Sequence, residues 1–213
     1  MKNNMKKILL LTGVLCLASV GGVSAYLTDF DHVSNQFTVG KVDVKLTEDN
    51  WKPDDNKKIE PGKVISKDPK IKNTGINDTF AYLEVSIPMA NVTAAADNGS
   101  RLEQREQELF LFESKNSWTK LSARKVGSKQ VYVFAYNKIL KPQETTESLF
   151  DTVKFLNIIE GQLDGQQLEI PIRAYAIQTS YTGGDAASVV EQARNAYQKY
   201  VNQNKNQLGK ATE

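Results

Sequence analysis

The chain has 213 residues, with 27 lysines and arginines against 25 aspartates and glutamates, one histidine and one cysteine. Three of the lysines lie in the first 25 residues, so a chain without that stretch carries 24 basic residues against 25 acidic ones. This near-neutral balance excludes a globally basic nucleic-acid-binding protein, and a single cysteine excludes a disulfide framework.

The first 25 residues are typical of a cleaved signal peptide. Three lysines precede an apolar run over residues 8–20, and a glycine pair then leads to small residues that end at Ala25. The run is shorter than the roughly 20 apolar residues of a membrane-spanning helix. A lipoprotein anchored at Cys16 is disfavoured because the bulky Leu15 precedes it. We expect cleavage between Ala25 and Tyr26, membrane contact only before cleavage, and a product that is secreted to the extracellular matrix or cell surface.

The stretches that follow favour β-structure. Residues 37–46 alternate apolar and polar side chains, with a switch of parity at Gly40 that predicts a bulge. Residues 80–90 alternate in the same way, and Pro88 within them predicts an edge strand or a strand end. Three more runs predict strands, at residues 108–114, 130–137 and 168–179.

Two stretches are ambiguous. Residues 148–157 fit either a strand or a short helix, and the polar residues 94–108 fit a solvated loop or a short surface helix. Turn sequences rich in glycine, proline, aspartate and asparagine separate the strands. Six to eight short strands of this kind predict an antiparallel β-sandwich or jelly roll over residues 37–181.

Residues 182–204 predict an amphipathic helix. Two glycines precede Asp185, a favourable cap, and apolar residues then recur at spacings of three and four. The simplest interpretation is a helix docked on the sheet, and a partner-binding or membrane-surface helix is the alternative. Residues 205–213 are predicted to be a disordered tail.

The sequence contains no recognisable catalytic constellation. His32 is the only imidazole, so one chain cannot supply a pair of histidines to zinc, and no glycine-flanked serine elbow or phosphate-binding loop is present. Asp29 and Asp31 lie beside His32, but strand alternation would place them on the opposite face from it. We predict no catalytic residue, no metal ligand and no cofactor, and we interpret these three residues as exposed polar groups.

The chain resembles the TasA/camelysin family of secreted bacterial proteins, which are cleaved by a dedicated SipW-type signal peptidase. The resemblance rests on a small residue, an aromatic residue and an acidic residue at Ala25, Tyr26 and Asp29, followed by the motif at residues 35–40 and an alternating strand. Further blocks of similarity are at residues 71–75 and 172–181. Two positions depart from the family pattern, Leu27 and Lys41, and residues 92–157 match by strand character alone.

The resemblance implies a jelly-roll-like subunit of biofilm-matrix or pilus-like fibres from a Gram-positive bacterium. Its partners would be further copies of itself and related matrix proteins, and no nucleic acid is expected. In such fibres the N-terminal segment of one subunit adds as a strand to the next. Some members carry a metallopeptidase label, so a camelysin-type extracellular metallopeptidase is one alternative. A monomeric adhesin or carbohydrate-binding domain is another.

Residues 26–36 are therefore predicted to be a donor-strand arm. They contain no proline or glycine, so every residue can offer both backbone groups to a sheet edge. The residues expected to make the contacts are Tyr26, Leu27, Phe30, Val33 and Phe37. Phe30 has the opposite parity from Leu27 and Val33, so a flat strand cannot point all three into one groove. The alternative is an ordinary first strand that pairs within its own domain.

Overall fold

The computed structural model describes residues 43–52, 59–159 and 161–204. These residues contain ten β-strands and one α-helix. In chain order the elements are β1 (Val44–Glu48), β2 (Val64–Ser66), β3 (Pro69–Asn73), β4 (Thr79–Val92), β5 (Arg105–Glu108), β6 (Phe110–Leu111), β7 (Trp118–Val126), β8 (Lys129–Tyr136), β9 (Thr152–Phe155), β10 (Ile172–Gln178) and α1 (Val189–Gln203). The predicted signal peptide (1–25), arm (26–36) and tail (205–213) lie outside the described residues.

The paired strands are antiparallel and form three sheets. The largest has the order β10-β4-β8-β7, with β5 paired to the far end of β4. A second sheet has the order β2-β9-β6, and β1 pairs with β3 in the third. The predicted mainly β fold with antiparallel sheets and a C-terminal helix is confirmed, whereas the jelly roll is not.

The first hydrophobic core gathers side chains from the large sheet and from both small sheets. One face of β4 contributes Leu83 and Val85, which are fully buried. Ile71 of β3 joins them, as do Phe110 of β6 and Phe155 of β9, whose ring centroids are 5.2 Å apart. Burial of each such side chain contributes about 1.5–3 kcal/mol, so this core is the main source of stability. The alternation in residues 80–90 correctly predicts the face of β4 that enters this core.

The second core lies on the opposite face of the large sheet, where α1 packs. Phe80 and Tyr82 of β4 point to this side and contact the helix face that contains Ala193 and Ala196. All four residues are at most 1% exposed. The small alanine side chains let the helix axis approach the sheet closely, and β4 is therefore buried on both faces. This arrangement confirms the docked helix rather than a free one.

The helix begins later than the sequence predicts. Asp185 does not cap it; Ser188 does, and its hydroxyl accepts a hydrogen bond from the Glu191 backbone N–H at 3.2 Å. The residues before the cap approach the helix closely. A Cβ atom added at Gly183 would lie 2.7 Å from Cβ of Gln192, closer than real Cβ contacts. Gly183 is therefore required because no side chain fits between the loop and the helix. The helix begins only after this close approach.

Pro88 lies within the long central strand β4, not in an edge strand or at a strand end. On one side of β4 the partner changes at this point: β10 pairs as far as Val85, and β5 pairs from Met89 onward. Met89 directs its N–H toward the other side, where it donates to Ser128 at 2.7 Å. The missing N–H of Pro88 therefore falls in the gap between two partners, and no ladder hydrogen bond is lost.

Three stretches form strands that the sequence analysis did not predict or left ambiguous. Residues 105–108, expected to be loop or helix, form β5, and the ambiguous stretch 148–157 contains β9. The polar strand β7 was not predicted, although the glycine-serine turn before β8 is a hairpin signal. The described residues thus contain ten strands where six to eight were expected. None of their helices is long and apolar enough to span a membrane.

Candidate assembly surface

No metal-binding group is found in the described ranges. No three histidine, cysteine, aspartate or glutamate side chains within these ranges are placed to hold a metal ion. The carboxylates near the end of β1 are instead bound by lysines: Lys67 pairs with Glu48 at 2.9 Å, and Lys70 pairs with Asp68 at 2.9 Å and with Asp49 at 3.0 Å. Burial alone would raise the pKa of Asp68, but hydrogen bonding, notably from Lys70, outweighs it and lowers that pKa. These residues form a structural ion-pair network.

The hydrogen bonds between β10 and β4 show which backbone groups of β10 face the outer edge of the large sheet. Ser86 donates to the carbonyl of Pro171 at 2.9 Å at one end of the ladder, and Thr179 donates to the carbonyl of Asp78 at 3.1 Å at the other. Because an antiparallel ladder alternates inward and outward backbone groups, the odd-numbered residues of β10 pair with β4. The even-numbered residues direct their backbone groups away from the sheet.

Three residues of β10 therefore present an unpaired edge. Ile172, Ala174 and Ala176 each direct an N–H and a C=O outward, and these groups make no hydrogen bond to another described residue. The strand contains no proline, glycine or bulge, and Arg173 is its only charged residue. Such an edge is a template for another strand.

A second unpaired edge lies beside the first. β1 pairs with β3 on one side only, and the backbone groups of Val44 and Leu46 on the other side have no partner among the described residues. Cα atoms of β1 and β10 approach within 8 Å without forming a ladder. We call the space between these two strands the edge gap. Because neighbouring strands are about 4.8 Å apart, a strand paired to both edges needs about 9.6 Å. An added strand must therefore pair with one edge or widen the gap.

The side chains along the edge gap are apolar. Val44 and Leu46 of β1, and Ile172 and Ala174 of β10, are partly buried and pack against the first core. A strand added here would bring its own inward-facing side chains onto that core. The edge gap thus combines free backbone groups with an apolar floor, the two features that strand addition uses.

One end of the edge gap carries two exposed apolar side chains. The loop at residues 74–78 is hydrogen-bonded to both sides of the edge gap. The Gly75 N–H donates to the carbonyl of Asp43, just before β1, at 3.0 Å, and the carbonyl of Asp78 accepts from the N–H of Thr179, just after β10. Ile76 in this loop is 89% exposed, and Tyr181, just beyond β10, is 97% exposed. Tyr181 has φ of 62°, a left-handed conformation that is uncommon for a non-glycine residue. Asp43 also lies at this end of the edge gap.

The opposite edge of the large sheet differs. β7 carries Lys120, Arg124 and Lys125, and its register with β8 shifts at Leu121, which forms a bulge. Charged side chains and bulges both discourage pairing with another strand. Of the two outer strands of this sheet, β10 is therefore the one suited to strand addition.

The residues that the sequence singled out for function are all outside the described ranges. The structure gives no position for the cleavage site and arm residues Ala25, Tyr26, Leu27, Phe30, Val33 and Phe37, nor for the acidic pair and histidine at Asp29, Asp31 and His32. Sequence reasoning predicted strand 168–179 but did not identify it as a free edge. The single charge and the absence of proline within β10 are signals that the sequence does contain.

A comparison with family models gives a match. The family model described as camelysin metallo-endopeptidase matches residues 4–158. Comparisons with curated proteins and with solved structures gave no match.

Proposed function

The chain belongs to the camelysin metallo-endopeptidase family, and from this premise we propose that it is a secreted structural subunit of extracellular matrix fibres, joined by strand donation. The observation that carries the proposal is the unprotected edge of β10 beside an apolar gap. In the proposed fibre, the arm (26–36) and the residues just after it leave one subunit and pair with β10 of the next. SipW-type cleavage before Tyr26 would free the arm from the membrane.

The free energies involved are of a suitable size. Ile172, Ala174 and Ala176 offer six outward backbone groups, and each hydrogen bond contributes about 1 kcal/mol net. Burial of Val33 and Phe37 adds about 1.5–3 kcal/mol each. The sum of roughly 9–12 kcal/mol lies within the range of association costs, roughly 4–15 kcal/mol. Strand donation at this edge is therefore reversible unless further contacts strengthen it.

The parity of the arm limits how it can sit. Val33 and Phe37 have the same parity, so a regular strand can direct both to the apolar floor of the edge gap. Asp29 and Asp31 share that parity, and burial of unpaired carboxylates is costly. In the proposed complex these two residues therefore lie beyond the floor, at an end of the edge gap.

Deletion of residues 26–36 tests the proposal. We expect the truncated protein to keep its circular dichroism spectrum and to form no fibres by electron microscopy. A synthetic peptide of residues 26–40 should bind it and should stop the growth of fibres from the intact mature protein. If the truncated protein still polymerises, donation by this segment is wrong. If it unfolds, the segment belongs to its own core.

The family description raises a second candidate, a metallopeptidase. The described residues do not fit a zinc ion, because their clustered carboxylates are bound by Lys67 and Lys70. The sequence has one imidazole, that of His32, and one thiol, that of Cys16. Chelator-sensitive cleavage of casein by the purified protein, lost in His32→Ala, would establish the peptidase. On our proposal the protein does not cleave casein, and neither chelator nor His32→Ala alters its thermal midpoint or its assembly.

A further inference from the structure

A cavity of about 370 Å³ lies between β7 and α1 on the helix side of the large sheet. This volume is in the range of small-molecule sites. The residues that line it and bear on its chemistry are Leu121, Ser122, Arg194, Tyr197, Gln198 and Asn202. Two come from the edge strand and four from successive turns of the helix.

The bulge in β7 shapes this cavity. The register with β8 shifts between Lys120 and Ser122, so Leu121 is the extra residue. Leu121 packs against the second core, and Ser122 follows at the wall of the cavity. Bulges of this kind redirect side chains and recur beside functional sites.

The guanidinium of Arg194 has no partner among the described residues, in contrast to Arg124 and Arg173. Arg124 and Arg173 share Glu84, at 3.2 Å and 3.8 Å. Lys199, on the same helix, donates to the carbonyl of Thr182 at 2.9 Å. Arg194 is half-buried and has neither an ion pair nor a hydrogen bond with any described residue. A positive charge held in a cavity without a counter-ion favours a carboxylate, which a guanidinium binds through two parallel hydrogen bonds.

The other polar groups of the cavity make no hydrogen bond to another described residue. The hydroxyl oxygen of Ser122, a residue that lines the cavity, is buried without a hydrogen-bond partner among the described residues. Gln198 and Asn202 are exposed, and their amides have no partner within the described part of the chain, so both are free to bind a ligand. Hydroxyls and amides both donate and accept, so they suit the hydroxyl groups of a ligand. The side chains of Leu121 and Tyr197 add apolar surface, which suits the C–H face of a sugar ring.

We propose that this cavity binds a hydroxylated carboxylate of the uronic acid class, with its carboxylate on Arg194. The assignment combines a cation with no partner among the described residues, one buried hydroxyl without a partner, two exposed amides and an apolar wall within one sugar-sized space. It is independent of strand donation, because the residues involved lie on β7 and α1 and not at the edge gap. In an extracellular protein, such a site would bind acidic polysaccharide.

Ligand-observed saturation-transfer NMR with sodium glucuronate tests the proposal on the full mature protein, in monomeric or fibrous form. We expect saturable binding by glucuronate, and binding at least tenfold weaker by glucose, which lacks the carboxylate, and by acetate, which lacks the ring. Arg194→Ala should weaken glucuronate binding at least tenfold, with Arg194→Gln as a second variant that keeps more of the helix surface. Thermal unfolding checks that both variants fold.

Lys199→Ala is the matched control, since it removes one positive charge from the same helix outside the cavity. It should change the dissociation constant for glucuronate less than twofold. The proposal is wrong if glucuronate does not bind saturably, if glucose or acetate binds equally well, or if Lys199→Ala weakens binding as much as Arg194→Ala.

Discussion

The phenolic hydroxyl of Tyr82 donates a 2.7 Å hydrogen bond to the main-chain carbonyl of Ala193, joining the central strand of the large sheet to the middle of α1. Both residues are fully buried. Burial raises the pKa of Tyr82, and the neighbouring Tyr197 adds to the effect, so the phenol remains a proton donor at every physiological pH. Because 111 residues separate the pair, this bond fixes the helix on the sheet rather than stabilising either element locally.

We expect Tyr82→Phe to lower the free energy of unfolding by about 1 kcal/mol, the net value of a buried hydrogen bond. The loss is modest because the ring remains packed and the Ala193 carbonyl keeps its intrahelical partner. Urea unfolding measures it. Tyr181→Phe, at a 97% exposed residue, is the matched control and should leave stability unchanged. Equal stability of the two variants would show that the buried bond contributes nothing.

Asp68 should make stability sensitive to acid. Its pKa is lowered in the folded state from an ordinary value near 3.8, against the opposing effect of burial, by hydrogen bonds from Lys70 and Asn50. The contribution of ionised Asp68 to the free energy of unfolding is therefore complete above about pH 4. It is lost as the pH falls through the lowered pKa of the folded state. Asp68→Asn should cost about 2 kcal/mol at pH 7 and flatten the acid limb of the stability curve. Asp97→Asn, at an exposed position, should neither lower the stability at pH 7 nor flatten the acid limb. Chemical unfolding at several pH values measures both effects.

A pair of proline substitutions distinguishes the two outer edges of the large sheet. Ala174 on β10 and Ala123 on β7 both direct their N–H away from the sheet, so proline at either position removes no ladder bond. We expect both variants to fold, with thermal midpoints close to that of the parent. Only Ala174→Pro should abolish fibres by electron microscopy. Fibres in Ala174→Pro, or their loss in Ala123→Pro alone, would place assembly elsewhere.

The secreted protein should begin at Tyr26. Cleavage after Ala25 follows from the small residues that end the glycine-broken apolar run. Intact-mass measurement of the protein from culture supernatant provides the check. A species that retains residues 1–25, or one that carries lipid at Cys16, would contradict the expectation and would keep the arm at the membrane.

Local patterns in the sequence were sufficient for much of the architecture. The alternation in residues 80–90 predicted which face of β4 enters the first core, because side chains of a strand alternate by geometry alone. The helical spacing in residues 182–204 predicted α1 for the same reason. The motif blocks at residues 35–40 and 71–75 pointed to the family, whose membership is confirmed. Each of these signals depends on residues within one element.

The features that matter for assembly and binding were decided only by long-range pairing. Pro88 is tolerated in a central strand because two partners happen to meet there, which no local pattern encodes. β10 and β7 are both outer strands of one sheet, and the sequence does not say which strand borders another. The cavity at Arg194 depends on a one-residue bulge in β7 opposite a helix some 70 residues later. Periodicity determines which way a side chain points, whereas strand order determines which backbone groups and charges are left without a partner.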